Sequence, residues 1–211
     1  MIKFNNQLTK NEEEESSDET NPLLSLFNED IPRIAGLYGE VNEENCKDLI
    51  GNLYALESIK KNIATDDGDE VEITEPIEMI VSTEGGHVTE MFAAFDVMEQ
   101  VKRSCEIHTI GLGKVMSAGI LLLAAGTKGK RKVGKHCRLM IHSISGGDFG
   151  SIKQLENNIK EVKWFQTQYT NALVANSNMS VRQLKAIFRR KSDTYFDANQ
   201  ALKWGIVDEI I

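Results

Sequence analysis

Apolar positions along the chain fall into two rhythms. Short apolar runs at residues 34–38, 77–82, 106–111 and 139–143 predict buried strands. Longer stretches with helical spacing lie between and after them. Residues 45–58 and 89–101 predict helices, the second carrying Met91, Phe95, Met98 and Val101 along one stripe. The longest such pattern, Ile152, Leu155, Ile159, Val162, Phe165, Tyr169 and Leu173, is one apolar face over about six turns. Ser180 opens a further helix ending near Phe188, and Asp197 caps a last one closed by Gly205. Strands alternating with helices predict an α/β domain with a largely parallel sheet.

The polar stretches divide the chain. Residues 1–22, with NEEEESSDET at their centre, have no periodic apolar positions and cannot bury enough surface to offset their ordering entropy. They predict a disordered acidic tail ahead of a domain over residues 23–211. Leu23, Leu24, Leu26 and Phe27 form a short apolar patch before Pro32, and residues 62–75 predict a surface loop or hairpin excursion. The length of 211 residues suits one domain plus a tail. Eight acidic and two basic residues among the first 30 hold −6 of the net charge of −8, so no basic face for nucleic acid is indicated. The longest wholly apolar run, residues 120–125, is far short of the about 20 residues a membrane span needs. No secretory leader is indicated. Three cysteines, Cys46, Cys105 and Cys137, show neither a C-x-x-C pair nor metal-site spacing. They predict reduced thiols in a cytoplasmic compartment and no metal site.

Four places could carry chemistry. In IHTIGLGKVMSAGILLLAAG (107–126) an apolar strand runs through glycines to Ser117, just ahead of an apolar helix. A serine there can be an N-cap. It can equally be a hydroxyl set beside backbone N–H groups and the positive end of a helix, where an oxyanion is stabilised. Val115 stands where a G-x-S-x-G elbow has its first glycine. In IVSTEGGHV (80–88), Gly85 and Gly86 close a strand; paired glycines serve a plain turn or bring backbone N–H groups close to a ligand. His142 follows an apolar strand, as a hydrogen-bonded core residue or as a general base at a strand's C-terminal edge. Asp193 lies between a basic cluster and Tyr195–Phe196, where a plain surface aspartate is equally at home.

Taken together, these residues resemble the ClpP proteases, the proteolytic subunits of the ATP-dependent Clp machinery. The resemblance covers roughly residues 32–211. G-K-V-M-S-A-G followed by LLLAAGTKGKR is similar to the family's nucleophile segment, and R-L-M-I-H with Gly146, Gly147 and Gly150 to its histidine segment. Asp193-Thr-Tyr-Phe-Asp-Ala with Ala201, Trp204-Gly205 and Val207-Asp208 is similar to its aspartate segment and C-terminal finish. The resemblance implies Ser117 as nucleophile, His142 as base and Asp193 as the group orienting the imidazole. It implies an oxyanion hole from the N–H groups of Gly86 and Ala118. It also implies that substrate docks as an added strand between Gly86-His87-Val88 and Ile144-Ser145-Gly146.

The fold so implied is a ClpP/crotonase-like spiral of strand–strand–helix repeats with a protruding handle helix starting at Ile152. That helix's apolar face suits burial against another subunit or packing on its own domain. The implied assembly is two stacked heptameric rings, a tetradecamer. An AAA+ unfoldase partner would feed it unfolded protein substrates; ATP would be used by that partner, and this chain would need no cofactor. Departures mark a divergent member, such as a phage-encoded copy would be: Glu84 stands for the usual proline, Val115 and Met116 for small residues, and Ser192 for a basic residue. They motivate an alternative, a non-catalytic ClpP-like subunit that co-assembles with and modulates a host Clp protease. A crotonase-type acyl-CoA enzyme is the third reading, and it leaves the Ser–His–Asp set unexplained.

Overall fold

Every second residue of one strand is buried, which is what a strand inside a layered sheet requires. This strand, β4 (Ile77–Gly86), buries Ile77, Met79, Val81, Thr83 and Gly85. In the computed structural model, which describes residues 32–65, 69–147 and 149–211, β4 lies between two parallel neighbours. β1 (Ile34–Val41) pairs on one side and β5 (Ile107–Met116) on the other. The seven-stranded sheet continues from β5 to β6 (Lys132–Val133) and β9 (Glu209–Ile210). A branch from β5 carries β7 (Arg138–Ile141) and then β8 (Thr194–Phe196), the one antiparallel pairing of this sheet among the described residues. The polar excursion is a hairpin of β2 (Lys61–Ala64) and β3 (Glu70–Ile73). The predicted mixed α/β fold with a mostly parallel sheet is the one observed. The acidic tail and the domain start at residue 23 lie outside the described residues.

The helices cover the sheet through the stripes their sequences carry. α1 (Glu43–Ser58), capped by Asn42, buries Cys46, Leu49, Leu53 and Leu56. α2 (Val88–Val101) buries Met91, Ala94, Met98 and Val101. Phe95 is only partly buried; its ring meets Phe92, which stacks on Phe165 at 6.1 Å. α3 (Ala118–Ala124) is apolar all round and buried at every residue, as such a helix must be.

All four strand predictions differ from the structure in where the strands end, with β1 and β4 running on to Val41 and Gly86. β5 runs to Met116 rather than stopping at Gly111, because it changes partner: Ile110 and Gly111 pair with β6, and Lys114–Met116 pair with β7. Gly113, at φ 65°, sits at the switch. β7 ends at Ile141 rather than Ser143, since its partner β8 offers only three register positions.

Ser151 opens α4 (Ile152–Ala175) with a capping box to Gln154. The C-terminal half packs on the domain through Tyr169, Thr170 and Leu173. Ile152 (78% exposed), Ile159 (53%) and Trp164 (54%) do not. The apolar face is thus packed on its own domain in its C-terminal half and exposed towards its start. α5 (Val181–Phe188) and α6 (Ala198–Lys203) follow, capped by Ser180 and Asp197. No helix among the described residues is long and apolar enough to cross a membrane.

One buried ion pair ties the end of the chain to the core. Arg131, 3% exposed, forks onto Asp208 with Nε–Oδ2 at 2.8 Å and Nη2–Oδ1 at 2.6 Å. Its Nη1 donates to the carbonyls of Ala124 and Asn176. Burial alone would raise the Asp208 carboxyl, but the Arg131 hydrogen bonds and charge, with the Gly129 N–H, hold it below the usual range. Asp208→Ala leaves the guanidinium buried without its counter-charge, so a loss of about 3–5 kcal/mol is expected. It would be read as a lower urea midpoint at unchanged slope. Because the folded-state value is depressed, the contribution is full above the unfolded carboxyl value of about 3.9. It fades as pH falls through the lower folded value. Wild type and variant should converge on acidification, and parallel curves would refute the pairing.

Candidate active site

Ser117 joins β5 to α3 at φ 52° and ψ −116°, the one positive φ at a non-glycine among the described residues. Such a conformation costs on the order of 1–3 kcal/mol and persists only where the surroundings impose it. Here both backbone groups are held. The Ser117 N–H donates to Met140 O at 2.8 Å, and the Tyr169 hydroxyl donates to Ser117 O at 2.9 Å. Neighbouring glycines make the turn possible. A Cβ on Gly85 would stand 2.6 Å from Ser117 Cβ, and one on Gly119 would stand 2.4 Å from Thr83 Cγ2. Val115, where the elbow pattern has glycine, points into the core and is fully buried. A sharp strand-to-helix turn therefore forms without the full motif.

The hydroxyl caps nothing. Instead Ser117 Oγ lies 2.8 Å from His142 Nε2, so the N-cap alternative does not hold. Strand register supplies the next contact. β7 and β8 run antiparallel with Ile141 opposite Thr194, so the residue after one faces the residue before the other. Those residues are His142 and Asp193, with Nδ1–Oδ1 at 3.2 Å. With the imidazole proton on Nδ1, His142 donates to Asp193 and accepts from Ser117. The Asp193 side chain is 44% exposed, so its outer edge meets solvent while its inner edge meets the ring.

A cleft of about 490 Å³ opens beside Ser117 and His142. Of the residues expected there, Gly86, His87, Val88, Ala118, Ile144 and Ser145 line it; Gly146 does not and is exposed. Gly86 sits at φ 153°, and a Cβ there would stand 2.3 Å from Val41 O. β5 leaves β4 after Thr83, whereas β1 stays paired as far as Gly86. The last residues of β4 are thus laddered on one side only. Ala118 is the first residue of α3, a position whose N–H has no partner within the helix. His87 is an exposed rim residue, its Nδ1 3.7 Å from Glu90.

Sequence reasoning missed Tyr169 as a site residue. It lies in the apolar stripe of α4, and a phenol tip turned towards a backbone carbonyl leaves no trace in a periodicity. Its burial pushes the hydroxyl pKa up, which keeps it a donor. All three cysteines are buried and free. Burial pushes the thiols of Cys46 and Cys137 up to about 11, which disfavours the thiolate. Among the described residues, no three His, Cys, Asp or Glu side chains cluster closely enough to hold a metal ion.

A model of the Clp protease family matches residues 15–211. The chain belongs to the Clp protease family. It is 31% identical over 193 residues to the ATP-dependent Clp protease proteolytic subunit 1 of Corynebacterium diphtheriae, covering 91% of this chain and 83% of that one. Proteolytic subunit 2 of Corynebacterium jeikeium matches to the same extent. Proteolytic subunit 2 of Chlamydia trachomatis is 32% identical over 138 residues, 65% of this chain and 66% of its own. Against this family background, Glu84 is an exposed residue bridged to Lys114 at 2.9 Å, and that hydrogen bond holds its carboxyl below the usual range. Ser192 is an exposed residue two positions before β8.

Proposed function

We propose that this Clp-family chain is a serine endopeptidase subunit acting on unfolded polypeptides. The observation that carries the proposal is the 2.8 Å contact between His142 Nε2 and the hydroxyl of a serine held at positive φ on a strand-to-helix turn. In the reaction, Ser117 Oγ attacks the scissile carbonyl carbon while its proton passes to His142 Nε2. The carbonyl oxygen becomes an oxyanion, met by the N–H groups of Gly86 and Ala118. The C–N bond then breaks, Nε2 gives its proton to the departing amine, and water hydrolyses the acyl-serine by the same steps in reverse. Asp193 keeps the Nδ1 proton in place and balances the imidazolium that forms.

An extended substrate would add as a strand beside the one-sided end of β4 at Gly86-His87-Val88 and the 144–146 segment. Backbone pairing of this kind reads shape, which suits unfolded chains. The uncovered apolar residues of α4 support a subunit contact through that helix, as in two stacked heptameric rings. An AAA+ unfoldase that spends ATP would supply substrate in the cytoplasm. The crotonase-type reading leaves the linked Ser–His–Asp side chains without a role.

Labelling the assembled protein with a fluorophosphonate tests the assignment. One adduct, mapped to Ser117 and absent from Ser117→Ala, is expected. Assembled protein that takes no adduct, yet joins an active Clp subunit, would establish the non-catalytic alternative.

A further inference from the structure

The stretch that follows His142 is held by very little. The β7–β8 ladder stops at Ile141, and residues 142–147 belong to no strand. Among the described residues, the one hydrogen bond made by residues 143–147 runs from the Ile144 N–H to Gln166 Oε1, at 2.8 Å. Gln166 lies on α4 three residues before Tyr169, so the two side chains share a helix face. One face of this helix thus reaches both the Ser117 carbonyl and the segment lining the cleft.

The other end of the Gln166 amide shows why the residue is there. Gln166 Nε2 is the one buried side-chain polar atom without a partner among the described residues. Turning the amide over does not cure this, since it would set an NH₂ donor against the Ile144 N–H donor. A leucine or methionine would fill the same space with no unsatisfied donor, so the amide is a cost unless its oxygen is needed. The oxygen meets Ile144 alone.

We propose that Gln166 is a positioning residue, which holds residues 143–147 in the extended course that an incoming substrate strand must meet. The inference rests on the peptidase reading above. In an extended segment, successive residues present their backbone groups to opposite sides. With the Ile144 N–H turned to α4, the groups of Ser143 and Ser145 face the other way, towards an added strand. If the segment were loose, its ordering would be charged to each binding event and affinity would fall. Chemistry at Ser117, which Gln166 does not touch, would be spared.

The experiment compares wild type, Gln166→Leu and Gln166→Glu by three measurements on the assembled protein. For Gln166→Leu, kcat/KM on an extended peptide should fall about tenfold, through KM, as expected for one lost backbone hydrogen bond. Its fluorophosphonate labelling rate should stay within about twofold, because that small probe pairs with no strand. Amide exchange in residues 143–147 should quicken. Gln166→Glu keeps an acceptor oxygen and should restore both exchange protection and KM. Unchanged KM or unchanged exchange in Gln166→Leu overturns the proposal, as does a parallel loss of labelling. Wild type that takes no probe sinks the peptidase reading instead, while exchange at Ile144 still decides whether Gln166 holds the segment.

Discussion

Replacing Ser117 by alanine should lower the peptidase rate by on the order of 10⁶, measured as kcat on a fluorogenic peptide with assembled protein. The substitution removes one oxygen and nothing else of consequence. Alanine keeps the Cβ, so the cost of holding φ at 52° is the same, and the bonds from the Ser117 N–H and to its carbonyl are main-chain bonds that survive. Thermal unfolding should therefore change little, which separates lost chemistry from lost fold. His142→Ala should cost about as much, and the double variant scarcely more. Hydroxyl and imidazole act as one proton-transfer unit through a single 2.8 Å contact. A Ser117→Ala protein retaining a tenth of the activity would end the assignment.

Gly86→Ala is the second large effect, expected at about 10²- to 10³-fold in kcat, the usual cost of losing one oxyanion donor. No side chain with chemistry is removed. The added methyl would stand 2.3 Å from Val41 O and 2.9 Å from Val41 N, on a backbone at φ 153°. A backbone oxygen cannot yield as a flexible side chain would, so the end of β4 must swing away from β1. The amide proposed for the oxyanion then moves by a sizeable fraction of an ångström, enough to spoil a donor that must meet a charge developing at a fixed point. Gly51→Ala is the control. It makes the same chemical change inside α1 with nothing within 4 Å, and should leave kcat alone while adding about 0.8 kcal/mol of stability. Equal activity of the two variants would mean that the Gly86 amide has no part in the reaction.

What could be read from the sequence follows from range. β1, β4 and the helices announce themselves through local periodicity and caps; Ser151, Ser180 and Asp197 each sit where their helices begin. Ser117, His142 and Asp193 were legible because their flanking motifs are distinctive, and the structure places the three side chains in one hydrogen-bonded row. The partner change along β5 was not legible. It depends on which strands arrive beside it, and β6, β8 and β9 have only two or three residues each, too few to show an alternation. Arg131 and Asp208 stand 77 positions apart, and either alone reads as an ordinary surface charge. Gln166 was hidden for another reason. A polar residue beside an apolar stripe is what any amphipathic helix displays, and only the bond to Ile144 gives it a meaning.

The anchorage of Asp193 also bears on how the fold could rest. The strand that follows it, β8, makes three register pairs with a single neighbour, whereas Ser117 follows β5, which pairs with three strands. A short border strand peels away at a fraction of the free energy needed to melt the core. Such fraying would part carboxylate from imidazole while leaving the remaining architecture standing.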